Sequence, residues 1–217
     1  MADSDSFHFE GTEIAPGTGA EVSLELGDGP AGNPRNIPVY IIHGTKPGPV
    51  LALTAGIHGD ELNGVSVVHH LIHGDDHIAG TDDDRISREE LAGTLICVPV
   101  VNIEGMLLEQ RGAPDNRDIN RLFPGKAQGN QSQRIAYALF QSVVKRADFL
   151  IDLHSAPHSR TNLPHIRANF EREECMNLAR AFGTHIILHS SGPKGSLRRT
   201  ATKDGTPTIL LEAGTAH

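Results

Sequence analysis

Histidine and glutamate stand three residues apart in Gly56-Ile-His58-Gly-Asp-Glu61-Leu-Asn-Gly64, directly after the apolar run Val50–Ala55. That run reads as a buried strand, and a turn at its end lets both side chains point at one spot. Zinc takes imidazole nitrogen and carboxylate oxygen at about 2.0–2.2 Å, and a catalytic zinc uses three protein ligands while keeping one position open for water. A third ligand must arrive from a distant part of the chain. Phe149-Leu-Ile-Asp-Leu-His154 supplies it, a second apolar strand that ends in a histidine. Asp152 lies two residues earlier on the same strand face, either a neighbouring polar group or a carboxylate that orients a ligand from behind. In a chain with thirteen histidines, His-x-x-Glu alone arises easily, and a surface pair at a helix start is its commoner fate. The strand-end histidine makes His58, Glu61 and His154 a candidate metal site.

Other reactive side chains carry less. His69 and His73 share a helix face, but no acid joins them and His-Glu-x-x-His is absent, so they and His70 and His77 read as histidines near a helix C-terminus. His158 and Arg160 follow the ligand strand and could line a pocket; His189 and His217 carry no argument. Gly64-Val-Ser66-Val-Val68 fails the last position of Gly-x-Ser-x-Gly, which disfavours serine hydrolysis. Cys97 sits in an apolar run as a buried, inert thiol, and its spacing to Cys175 suggests no thiolate metal site.

The elements that must position these residues alternate. Val22–Leu26, Ile37–Ile42, Val50–Ala55, Leu95–Val101, Phe149–Leu153, His185–Leu188 and Thr208–Leu211 read as strands; Leu62–Ile72, Gln131–Arg146 and Glu171–Phe182 read as helices. This order predicts an α/β fold with a mixed, largely parallel central sheet and helices on both faces. Sites in such sheets gather at the carboxyl ends of strands. Gly74–Leu91, with Asp82-Asp-Asp84, reads as a solvated insertion with a short helix at Ser87–Leu91. Glu104–Gly129 lacks a clear element and is long enough to be functional. Residues 1–217 are expected to form one catalytic domain, with 1–20 as a flexible lead.

A net charge of −8 and no Lys/Arg-dense stretch beyond Arg198-Arg199 exclude a nucleic-acid footprint. No apolar run approaches the ~18 residues of a membrane helix, and the start of the chain is acidic where a signal peptide is basic. A cytoplasmic protein without membrane or nucleic-acid partners is expected; self-association into a homo-oligomer stays open.

Four motifs in register then resemble one family. His58-x-x-Glu61, Arg117-Asp-Ile-Asn120-Arg121-Leu-Phe-Pro-Gly125, Asp152-Leu-His154 and Leu211-Glu212-Ala-Gly214 are similar, in order and spacing, to the succinylglutamate desuccinylase/aspartoacylase family of zinc carboxypeptidase-like deacylases. The likeness runs from about Ile37 onward. It implies a carboxypeptidase-like fold and one zinc per chain on His58, Glu61 and His154. It implies also that Asn120 and Arg121 bind a substrate carboxylate and that an upstream arginine, for which Arg111 is the candidate, polarises the scissile carbonyl. Arg160 is a further candidate for substrate binding. Arg117 is assigned to the supporting shell, and with Asp118 it could form a local ion pair. Glu212, at the end of the strand Thr208–Leu211, becomes the general base, expected in apolar surroundings.

The implied activity is hydrolysis of the amide bond of a small N-acyl amino acid or related N-acyl amine. A metallocarboxypeptidase acting on peptides is the nearest rival, and a catalytically silent metal-binding domain is a second. Members of the family usually continue past Glu-x-Gly into a small β-rich domain that helps close the substrate site, whereas this sequence stops at His217.

Overall fold

The structure is a computed structural model that describes residues 5–29, 32–74, 86–157 and 160–216. The acidic run Asp82–Asp84 and His77, His158 and His217 lie outside these residues.

The chain begins with a hairpin, β1 (Phe7–Phe9) and β2 (Thr12–Ile14). The main sheet uses β3 (Thr18–Asp28), β4 (Pro34–His43), β5 (Lys46–Ala55), β6 (Ala92–Val98), β7 (Phe149–His154), β8 (Asn162–Ala168), β9 (Ile187–His189) and β10 (Thr208–Gly214). Their order is β3-β4-β6-β5-β7-β10-β8-β9. The centre, β6-β5-β7-β10, is parallel throughout, and antiparallel pairs flank it at β3-β4, β4-β6 and β10-β8. The predicted mixed α/β architecture is thus present.

The central strands are apolar on both faces because both are covered. Ala52, Ile96, Val98 and Leu150 pack on one side with Ile135, Ala136, Leu139 and Phe140 of α3 (Gln131–Ser142) and with Leu197 and Ala201 of α5 (Leu197–Asp204). Leu53, Ala55, Leu95, Cys97, Ile151 and Leu153 pack on the other with α1 (Asn63–His73) and α4 (Glu173–Phe182). Alternation then assigns faces to the polar residues. Thr54, Asp152 and His154 share the α3/α5 face with Ala52 and Leu150.

Several boundaries differ from the sequence reading. Residues 7–20 are not a loose lead: Phe9 and Ile14 are buried in the core and Thr18 already pairs with His43. β6 stops at Val98 rather than Val101, since Pro99 cannot donate to a ladder. Ser87–Leu91 is a single turn closed by Leu91 N–H on the Ser87 carbonyl, not a helix. Within 104–129 lie most of a short helix, α2 (Ile103–Leu107), and a 3-10 turn at Ile119–Arg121. β8 and α5 were not foreseen.

The segment from Gly56 to Leu62 is wedged between the end of β5 and α2. A Cβ added at Gly59 would lie 2.1 Å from the Gly105 carbonyl carbon and 2.3 Å from the Met106 nitrogen, both backbone atoms that cannot swing aside. Gly59→Ala should therefore destabilise the protein by about 1–3 kcal/mol, read as a lower urea midpoint at unchanged m-value, and should disturb His58 and Glu61 on either side.

Candidate functional site

β5 ends at Ala55 and β7 at His154, and the register Ala55↔Leu153 brings both ends to one edge. The turn after β5 carries His58 and Glu61 over the top of β7. His58 Nδ1 lies 2.8 Å from Glu61 Oε1, and His154 Nδ1 lies 2.7 Å from Glu61 Oε2. All three side chains are buried, and their ligand atoms lie within 4.8 Å of one another. The structure brings together the three side chains that the sequence singles out as a candidate metal site. Among the described residues no other group of three such side chains converges.

The far nitrogens of the two imidazoles face carboxylates. His154 Nε2 donates to Asp152 Oδ2 at 2.8 Å, and His58 Nε2 lies 3.2 Å from Asp118 Oδ1. Asp152 is fully buried, and its other oxygen accepts from Thr54 Oγ1 at 2.7 Å. Such outer carboxylates keep the hydrogen on Nε2 and turn the Nδ1 lone pairs inward, which is the arrangement a metal ligand needs. Two imidazoles and one carboxylate so held fit a divalent ion of the zinc type.

Both nitrogens of His154 face carboxylates, which can only accept. Burial works against its cation, but Asp152 and then Glu61 outweigh burial and hold its pKa well above the usual value. Glu61 behaves in the opposite sense: burial alone would raise its pKa, yet hydrogen bonds from His154 and His58 keep it well below the carboxylate range. Asp118 is held low as well, against burial, by His58 and by the charges of Arg111 and Arg121.

Asp118 corrects one expectation. It does not pair with Arg117, which is exposed and reaches Asp115 at 4.0 Å instead. Asp118 joins His58, Arg111 Nη2 at 3.3 Å and Arg121 Nη1 at 3.7 Å. Arg111 also donates to Glu61 Oε1 at 3.1 Å, so it stands beside the metal-ligand cluster.

A cavity of about 260 Å³ opens on this cluster. The eight residues assigned as metal, catalytic or substrate-binding candidates line it: His58, Glu61, His154, Arg111, Asn120, Arg121, Arg160 and Glu212. Asn120 uses its side-chain oxygen to accept from Leu197 N–H at the start of α5, which leaves its Nδ2 as the group it can offer the cavity. Glu212 pairs in register with His154 on the neighbouring parallel strand, hence on the same face. Its surroundings are polar rather than apolar: Asn162 Nδ2 donates to Oε2 at 2.8 Å and Arg167 Nη2 lies 3.5 Å from Oε1.

Arg167 and Arg198 line the cavity too, and the sequence reading missed both. Arg198 is buried against Ser190, to which its terminal nitrogens donate, and its Nε has no hydrogen-bond partner. Burial, then the charge of Arg167, pushes its pKa down to about 10. The available signal was the capping residue Ser196, whose Oγ accepts from Arg199 N–H and starts α5. Five arginines therefore face one cavity of a chain whose net charge is −8.

Residues 47–217 match the family described as succinylglutamate desuccinylase/aspartoacylase catalytic domain. The chain belongs to this family. An N-alpha-acetyl-L-2,4-diaminobutyric acid deacetylase of Halomonas elongata is 29% identical over 158 residues, covering 70% of this chain and 43% of the relative. A solved succinylglutamate desuccinylase/aspartoacylase of Rhodobacter sphaeroides superposes with a TM-score of 0.77 at 26% identity, covering 91% of this chain and 58% of that one. A metallo-carboxypeptidase of Burkholderia cenocepacia, at 15% identity, 90% and 56% coverage and a TM-score of 0.61, shares the fold. This member of the desuccinylase/aspartoacylase family thus spans about half the length of these relatives. None of its described helices is long and apolar enough to cross a membrane.

The donor set makes a measurable demand, since a metal at Nδ1 of His154 must displace the proton that the two carboxylates favour there. Zinc added to metal-depleted protein at pH 7 should release about one proton per chain, seen by calorimetry in buffers of differing ionisation enthalpy. Asp152→Asn should lower metal affinity about 10–100-fold.

Proposed function

We propose that this chain carries the catalytic centre of a zinc-dependent hydrolase that cleaves the amide bond of a small N-acyl amino acid or related N-acyl amine. The observation that carries this reading is the convergence of His58, Glu61 and His154 at the foot of a small, arginine-lined cavity that Glu212 also faces. The family match and the name of the Halomonas relative, a deacetylase, support an amide as the bond attacked.

When bound, zinc would polarise the acyl carbonyl and make water acidic enough to attack near neutral pH. The chain's own residues do the rest. Glu212 takes the proton from the attacking water and delivers it to the leaving nitrogen, one carboxylate acting as base and then as acid. Arg111 stands beside Glu61 with a half-exposed guanidinium and stabilises negative charge as it develops on the carbonyl oxygen. Asn120 and Arg121 receive the carboxylate of the amino acid; Arg121 Nη1 is steadied on the Asn120 carbonyl at 2.7 Å. Arg160, Arg167 and Arg198 keep the remaining wall cationic.

Charge favours this over peptide cleavage, because five guanidiniums on one wall select compact anions.

Hydrolysis of a panel of N-acyl amino acids by zinc-loaded protein tests the reading, and absence of turnover on all of them beside cleavage of C-terminal residues from peptides would replace it with the carboxypeptidase. Glu212→Gln should lower kcat by about 10²–10⁴-fold while zinc content stays unchanged; loss of the metal would remove Glu212 from the role of base. Arg121→Ala should raise KM roughly ten-fold or more with a smaller change in kcat, and an unchanged KM would take it out of the carboxylate clamp.

A further inference from the structure

Glu212 enters the cavity with both oxygens engaged by β8, Oε2 by Asn162 and Oε1 by Arg167. To take a proton on the cavity side, one oxygen has to be released. The two contacts are not equally firm. Asn162 donates at 2.8 Å, whereas Arg167 stands off at 3.5 Å on a long side chain that is 43% exposed. Arg167, whose Nε donates to His165 Nε2 at 3.3 Å, can swing its Nη2 off Glu212 about that anchor, and it is the partner that leaves.

Arg198 supplies a reason for it to move. Its guanidinium is fixed on Ser190, its Nε lacks a partner, and it is 4% exposed on the wall of the same cavity. Arg167 acts on it as a like charge. Two cations on one wall repel each other, and an anion between them offsets that cost while filling the bonding capacity of both.

We propose that Arg167 is a substrate-operated latch on Glu212: in the resting site it holds the carboxylate, and an anionic group of the substrate lodged against Arg198 draws it away. The proposal rests on Glu212 being the base. Arg167 is then a positioning residue, and substrates without an anionic group at that wall lose kcat as well as affinity.

The latch predicts a thermodynamic coupling that needs no turnover. Glutarate, with a carboxylate for the Asn120–Arg121 clamp and another for Arg167–Arg198, is titrated by calorimetry against butyrate, which has one. Zinc-loaded parent, Glu212→Gln, Arg167→Ala and the double variant are compared. Glu212→Gln should tighten glutarate roughly ten-fold by freeing Arg167, and should leave butyrate within about two-fold. In the Arg167→Ala background the same Glu212→Gln change should alter glutarate affinity by less than about two-fold, and Arg167→Lys should restore part of the coupling.

Equal tightening with and without Arg167 would mean that Glu212 merely repels the anion, and the latch would be overturned. So would parent protein that binds glutarate no better than butyrate. Failure of the underlying reading looks different, for then Glu212→Gln would keep hydrolysing N-acyl amino acids whatever the binding cycle shows.

Discussion

The site depends on a carboxylate that no solvent reaches. Asp152 sits within β7, opposite Thr54 of β5, and is fully buried. A charge there is tolerable only if its lone pairs are taken up, and Thr54 and His154 do so. The same bonds set the geometry. Thr54 ties the carboxylate to the neighbouring strand, the carboxylate fixes the ring of His154, and the ring can then present only Nδ1 to Glu61. Strand register thus becomes imidazole orientation, because side chains two apart on one strand point the same way. Glu212 joins the arrangement by the same rule one strand further on.

Around this centre the charge is divided by layer. Asp152 and Asp118 stand behind the imidazoles, and five arginines line the cavity wall in front of them. Asp118 belongs to both layers, facing His58 on one side and Arg111 and Arg121 on the other. Substitution of Asp118 would therefore disturb ligand orientation and the anion-facing arginines together. Low solvent access strengthens the buried contacts among His58, Glu61, His154 and Asp152 compared with their value in water, whereas the half-exposed Arg111 and Arg121 stay screened.

The three metal-ligand candidates were legible in the sequence because apolar strands announce where they stop, and the ligands stand at or just past the stops. What was not legible came from two elements whose patterns are weak. β8, Asn162-Leu-Pro-His-Ile-Arg-Ala168, contains a proline and buries only Ile166 and Ala168. α5, Leu-Arg-Arg-Thr-Ala-Thr-Lys-Asp, has Leu197 and Ala201 as its buried apolar positions. Tertiary packing, not periodicity, makes them a strand and a helix, and they bring Asn162, Arg167 and Arg198 to the cavity. Asp118 shows a related limit: adjacency in sequence suggested Arg117 as its partner, but the 3-10 turn at Ile119–Arg121 turns its carboxylate inward instead.

The ligand-bearing residues are far apart along the chain, and that has a consequence beyond chemistry. Glu61 and His154 are separated by 93 positions, a span that includes β6, α2 and α3. An ion held by both closes that span into a ring. In chain-entropy terms a cross-link across a loop of about 100 residues removes roughly 4.7 kcal/mol of freedom from the unfolded chain. An ion bound there would thereby also be a topological clasp, joining the turn after β5 to the end of β7, so that metal binding and resistance to unfolding would be carried by the same three side chains.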